Sequence, residues 1–330
     1  MKKIKILFIG HDDLMHELQD VDCDFIRPAG RSMGKFNPNE GKVSLLILMK
    51  YVVKFVFNRY DIVILPSALL SRVGECNKGI KAKVGRFLYR LSYNNTLCKV
   101  IRKCQSILFW DTEVAFVERY SQMTVQRNLF AFFSNATLFK TIGRNSYPHF
   151  PRLHVEVLPY WINTECYPQL DYGEFIKREY DVFYTGTSNC KARGIADELY
   201  EKSIDSGVNF LWQKEKVSLD RFVELLTLSR IAWSPEGTNW HCWRHYESLF
   251  YGSIPLINRP SKDIYQDLVH GETCLFYDSV DQAVELIKDL ISGRLVMKTT
   301  SDERRQFVLE KHSAKAAGEC IINFYKSSKK

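Results

Sequence analysis

The stretch 236–247, "EGTNWHCWRHYE", crowds Glu236, Trp240, His241, Arg244, His245 and Glu247 into twelve residues beside a glycine-containing loop. Gly237, Thr238 and Asn239 stand just before a helix expected to begin near His241. The free N–H groups of such a helix start point at an anion. On that helix Trp243 and Glu247 share a face four residues apart, and Arg244 and Glu247 share one three apart. An Arg–Glu pair at this spacing is commonly a surface salt bridge of little energetic weight. Glu236, at the end of a strand-like run, fits equally a structural cap or an acceptor for a sugar hydroxyl. The crowding at one loop favours a ligand site over chance.

A second loop has the same character. "YTGTSNCKARG" (184–194) follows a strand pattern and precedes a helical one. Gly186 permits a tight turn, Thr187 and Ser188 offer hydroxyls and backbone amides, and Lys191 and Arg193 add positive charge. The set suits a diphosphate at a helix N-terminus. A plain strand–turn–helix with solvated basic residues fits it as well.

Both loops must be positioned by elements, and the alternation along the chain says which. Residues 4–10, 24–29, 61–67, 106–112, 129–135 and 154–160 read as strands, with helices over 43–59, about 79–104 and 137–145 between them. In the second half 180–186, 208–214, 230–236, 253–259 and 273–278 read as strands. Helices are expected there at 192–206, 218–229, 241–251, 262–270 and 280–292. This is the signature of parallel sheets covered by helices on both faces. A chain of 330 residues fits two such domains of about 150 residues each. In doubly wound sheets ligands sit beyond the carboxyl ends of the strands, where both loops fall.

The whole chain narrows the classes further. A net charge of +8 favours anionic partners. Nine cysteines, an odd number with no C-x-x-C pair, suit reduced thiols in a cytoplasm better than a disulfide framework or a zinc site. The opening "MKKIKILFIG" reads as a first strand rather than a secretion signal, and Lys50 and Lys54 interrupt the most apolar run, 43–57. Residues 78–103 carry eight Lys or Arg and no acid, interleaved with Phe87, Leu88, Tyr89, Leu91 and Tyr93. Such a helix seats on an anionic membrane surface, binds a phosphorylated lipid carrier, or presents a solvated face over an ordinary core stripe. No nucleic-acid-binding module accompanies the charge. "DCD" (Asp22, Cys23, Asp24) imitates a metal-binding D-x-D but is expected to form a turn before an early strand, and no metal site is expected.

"WRHYESLFYGSIPLI" (243–257) resembles the signature of GT-B-fold glycosyltransferases, notably the exostosin-like and group 1-related bacterial families. "VEVLPYWINTECYP" (155–168) resembles their interdomain segment, and "GETCLFYDSVDQAVELIKDLI" (271–291) their late strand and helix. The resemblance implies an α/β protein of GT-B type, two Rossmann-like doubly wound domains facing a cleft. Residues 1–160 would bind the acceptor and 161–312 the nucleotide-sugar donor, with 313–330 a C-terminal helix crossing back to the first domain. It implies that Glu247 accepts hydrogen bonds from the donor's ribose hydroxyls, since one carboxylate accepts from two neighbours. Lys191 or Arg193, with the amides of 237–239, would neutralise the leaving diphosphate.

The implied activity is sugar transfer from a nucleotide-activated donor to a glycan or lipid-linked acceptor, in cell-surface polysaccharide or glycolipid synthesis. It would need no metal or other cofactor and would proceed in the cytoplasm, at the inner membrane face. Retaining members often carry two glutamates eight apart; eight after Glu236 this chain has Arg244. That favours inversion with a general base from the first half. His11, Asp12, Asp13, Asp111 and Glu113 all lie at carboxyl ends of expected strands, and Asp111 and Asp12 are the preferred pair. Two rival readings are a nucleotide-sugar epimerase on the same fold and a non-catalytic protein binding an anionic glycan or lipid.

Overall fold

The computed structural model describes residues 3–9, 18, 21–26, 60–66, 106–111, 136–140, 154–157, 159–186, 194–237, 240–260 and 267–328. The chain divides into two compact units: Met1–Leu158 with Gly318–Lys330, and Pro159–Ala317.

The first unit contains a parallel sheet of β1 (Ile4–Ile9), β2 (Val21–Ile26), β3 (Ile62–Pro66), β4 (Ser106–Asp111), β5 (Ala136–Lys140) and β6 (His154–Val157). Its order is β2-β1-β3-β4-β5-β6. Two expectations fail here. Residues 137–140 were expected in a helix but form β5, hydrogen-bonded between β4 and β6. A short apolar run has no period that separates a buried central strand from a helix segment, so only pairing decides. "DCD" is not a turn but lies within β2, an edge strand, where exposed Asp22 costs nothing and Asp24 accepts a 2.6 Å bond from the Tyr60 hydroxyl. The expected helices 43–59 and 79–104, with the basic stretch 78–103, lie outside the described residues, as does the expected strand 129–135.

In the second unit β7 (Tyr180–Thr185), β8 (Phe210–Gln213), β9 (Ser229–Trp233), β10 (Ile254–Asn258) and β11 (Leu275–Tyr277) form a parallel sheet. Its order is β11-β10-β9-β7-β8. Helices α1 (Ala196–Asp205), α2 (Leu219–Thr227), α3 (Trp243–Phe250), α4 (Val280–Ile291), α5 (Ser301–Lys311) and α6 (Ala314–Ser328) follow the chain. Residues of α6 from Gly318 onward group with the first unit.

The middles of the central strands are apolar on both sides because both faces are covered, while Asp181 and Arg230 pair with each other near the strand starts. Val182 and Tyr184 of β7 join Leu199 of α1 and Ile287 of α4 in one core. Phe183, between them, joins Val223 of α2, Tyr246 and Leu249 of α3 and Val308 of α5 in the other. The Thr300–Glu303 capping box that starts α5 was a readable signal for a helix the sequence reading did not assign. The expected helix 262–270 does not extend through its last four residues; His270 instead bridges Cys274.

Gly252 turns the chain from α3 into β10. Its φ is +77°, and its N–H donates to the Leu249 carbonyl at 3.1 Å, closing the helix in the left-handed conformation glycine favours. A Cβ there would lie 2.7 Å from Arg178 Nη2 and 2.9 Å from the Tyr172 ring. Arg178 is buried, with Nη1 donating to the Ser229 carbonyl at 2.9 Å, so it has little room to yield. Gly252→Ala is expected to destabilise the protein by roughly 2–4 kcal/mol, from backbone strain plus overpacking. Urea unfolding followed by tryptophan fluorescence measures it; a change below about 1 kcal/mol would contradict this account of the turn.

Candidate functional site

In the second sheet β7 is flanked by β8 on one side and β9 on the other, so the winding reverses between β7 and β9. That switch point, at the carboxyl ends of the strands, is where doubly wound sheets open a crevice for ligands. β7 ends at Thr185 and β9 at Trp233, so the two loops singled out from the sequence lead away from this crevice.

Arg244 enters it from the first turn of α3. Its Nη2 donates to the Thr185 carbonyl, and its guanidinium carbon lies 5.3 Å from the centre of the Tyr184 ring. Nε and Nη1 are buried and find no hydrogen-bond partner among the described residues. Buried guanidinium donors without partners are costly, and an anionic ligand at the strand ends would satisfy them. Tyr184 packs on Trp233 with ring centres 4.4 Å apart, and Trp233 Nε1 donates to the Tyr277 hydroxyl at 2.9 Å. A Cβ on Gly186 would come within 2.8 Å of the Tyr184 hydroxyl oxygen, so a residue without one lets the chain leave β7 across this ring.

The loop after β9 is clamped from two sides. The Asn258 side chain accepts from the Glu236 N–H at 2.7 Å, and its carbonyl accepts from Trp240 Nε1 at 2.7 Å. His245, fully buried, donates from Nε2 to the Trp240 carbonyl at 2.7 Å and turns Nδ1 to the Ser234 hydroxyl at 2.7 Å. A neutral imidazole satisfies both contacts, with Nδ1 as the acceptor. Glu236 and Gly237 are thereby carried on a braced segment.

Glu247 is only 6% exposed and accepts from the Tyr167 hydroxyl, which comes from the segment entering the second unit. The exposed Arg–Glu salt bridge considered from the spacing does not describe this pair: Arg244 meets Thr185, and Glu247 meets Tyr167. Burial pushes the Glu247 carboxyl up to about 7, against the opposing pull of the Tyr167 hydrogen bond and the Arg244 charge.

Gly186, Glu236, Gly237 and Arg244 therefore gather at one end of one sheet, and Glu247 follows one turn further along α3, against Tyr167. Thr187, Ser188, Lys191, Arg193, Thr238, Asn239 and Asp12 lie outside the described residues. Asp111 is the last residue of β4, at that strand's carboxyl end in the first unit. Sequence reasoning missed Tyr167, Asn258 and the Ser234–His245 contact. Asn258, a polar residue ending an apolar strand, was the one local signal among them.

The raised Glu247 carboxyl predicts a pH dependence of stability. Its folded-state value, about 7, exceeds the ordinary 4.5, so between the two the folded chain holds a proton that the unfolded chain has released. This contribution to stability is complete below the lower value and is lost as pH rises towards the higher. Urea unfolding at pH 5 and pH 7.5 should show the loss, and Glu247→Gln should flatten it. An equal slope in the variant would assign the dependence to other groups.

Residues 178–291 match the family model for the RXYLT1 C-terminal domain. No curated protein sequence matches the chain. Among solved structures, an alpha-glucosyltransferase in complex with UDP-glucose and DNA containing an abasic site superposes with a TM-score of 0.58 at 10% identity, covering 98% of this chain and 99% of that one. The lipopolysaccharide outer core galactosyltransferase WaaB gives 0.52 at 14% identity, with 99% and 100% covered. The HepE protein of Anabaena in complex with UDP gives 0.52 at 11% identity, with 98% and 100% covered. The resemblance to GT-B glycosyltransferases drawn from the sequence is borne out: the chain has the GT-B glycosyltransferase fold, and its second unit carries a match to the RXYLT1 C-terminal domain.

Proposed function

We propose that this glycosyltransferase takes its sugar from a nucleoside diphosphate donor and passes it to a glycan or lipid-linked acceptor. The observation that carries the proposal is Arg244, with two buried guanidinium nitrogens that no described residue partners, at the β7–β9 switch point. A diphosphate supplies the paired anionic oxygens such a fork binds. Stabilising that group as it departs accelerates transfer directly. Lys191 and Arg193 add charge from the loop after β7, and Glu247, nearby on the same helix, accepts from the ribose hydroxyls. Solved neighbours of the fold hold UDP and UDP-glucose, which makes uridine the first base to test.

In this reading the reaction needs no metal and inverts the anomeric carbon, with Asp111 or Asp12 as the general base. The acceptor pathway is cell-surface polysaccharide or glycolipid synthesis, and the basic stretch 78–103 holds the protein at the inner membrane face. Among the described residues no helix is long and apolar enough to cross a membrane.

A thermal-shift panel of nucleoside mono- and diphosphates tests the donor class. One diphosphate should raise the unfolding temperature, and Arg244→Ala should weaken its binding at least tenfold, the usual cost of a lost charge-assisted contact. Equal stabilisation by the matching monophosphate, or unchanged binding by the variant, would remove the diphosphate from Arg244. Sugar release from the corresponding nucleotide-sugar, followed by NMR, then reports the anomeric outcome.

A further inference from the structure

The contact between Tyr167 and Glu247 joins residues 80 positions apart, and it is built rather than incidental. Tyr167 is framed on several sides. The Tyr251 ring meets its edge at 6.3 Å, and the Tyr251 hydroxyl donates to the Pro168 carbonyl at 2.7 Å. Gln169 Nε2 donates to the carbonyls of Thr164 and Tyr167 at 3.1 and 3.3 Å, tightening the turn that presents the ring. Tyr160, from the same segment, stacks on His241 and Tyr246 at 5.6 Å and holds the segment along α3.

We propose that Tyr167 is a positioning residue for the donor site, fixing the direction of the Glu247 carboxylate and favouring its ionised form so that its other oxygen meets the donor's ribose. The proposal rests on the donor-binding reading of Glu247 given above. Its physical basis is simple. A buried carboxylate without a donor rotates freely about its last bond and tends to take up a proton. A phenol held by its own frame removes both freedoms at once. The other groups facing Glu247 come from its own helix and that helix's caps: Arg244, and His245 when protonated, favour the carboxylate, Cys242 opposes it, and Tyr251 lies within its field. Tyr251 and, from the entering segment, Tyr160 act on the Tyr167 hydroxyl, while Arg305 of α5 faces Tyr251.

The experiment compares the full chain with Tyr167→Phe, Tyr251→Phe and Glu247→Gln. The Glu247 titration is followed without ligand by infrared difference spectroscopy. Binding is followed by calorimetry from pH 5.5 to 9, using whichever of UDP, GDP, ADP and CDP most stabilises the wild type. Tyr167→Phe should move the carboxyl midpoint upward by about one pH unit, the size expected for losing a hydrogen bond to a charged group. Starting near 7, that lowers the ionised fraction at pH 7 about fivefold, and binding should weaken in proportion. Tyr251→Phe, which loosens the frame but leaves the Tyr167 donor in place, should move the midpoint less.

An unmoved midpoint in Tyr167→Phe, or an equal shift in Tyr251→Phe, would overturn the positioning role and reduce the contact to packing. A moved midpoint in Tyr167→Phe without any change in nucleotide binding, or unchanged binding in Glu247→Gln, would instead sink the donor-site reading of Glu247. A wild type stabilised by none of the four nucleotides would do the same, and the ligand-free titration would still decide the role of Tyr167.

Discussion

Helix α3 is enclosed almost completely: His245, Tyr246, Glu247, Ser248, Leu249 and Phe250 are all buried. A helix in that position cannot send its polar side chains to water, so each must be met by protein or by ligand. That constraint organises the second unit. Ser248 returns its hydroxyl to the Arg244 carbonyl, His245 spans Ser234 and Trp240, and Glu247 takes the phenol of Tyr167. Among the described residues Arg244 keeps two donors without a partner, and it keeps them at the strand ends.

The enclosure also explains why the entering segment, Pro159 to Leu170, is part of the site rather than a connector. Ile162 and Ser313 bridge, and the Ile162 N–H donates to the His312 carbonyl at 2.8 Å. His312 lies 4.2 Å from the Tyr246 ring centre and contacts the Tyr160 carbonyl through Nδ1 at 2.6 Å. The segment is thus secured to the start of α6 and to the face of α3 together. A tyrosine presented from so fixed a strap meets Glu247 with little loss of entropy. The same packing sets the site's rigidity, since the clamps from Asn258 and His245 hold the loop after β9 against the sheet.

Much of this was legible in the residue order. Alternating strand and helix patterns predicted parallel sheets, and the second half was read nearly element by element, because its short strands with apolar centres alternate with helices of clear three-to-four spacing. The expectation failed where that signal weakens. At β5, five residues with no usable period take their form from the strands on either side, and at β2 acidic residues mask an edge strand.

The sequence by itself determined the crowding of Glu236, Gly237, Arg244 and Glu247 at one loop, because local spacing and glycine placement are properties of the chain order. Only the tertiary structure decided what those groups do to one another. Arg244 pairs with a strand carbonyl rather than with the glutamate three residues on, and Glu247 pairs with a tyrosine from a distant segment. Burial supplies the reason: inside a packed unit a charged group takes the partner that the fold brings within hydrogen-bond reach, and sequence neighbours have no priority.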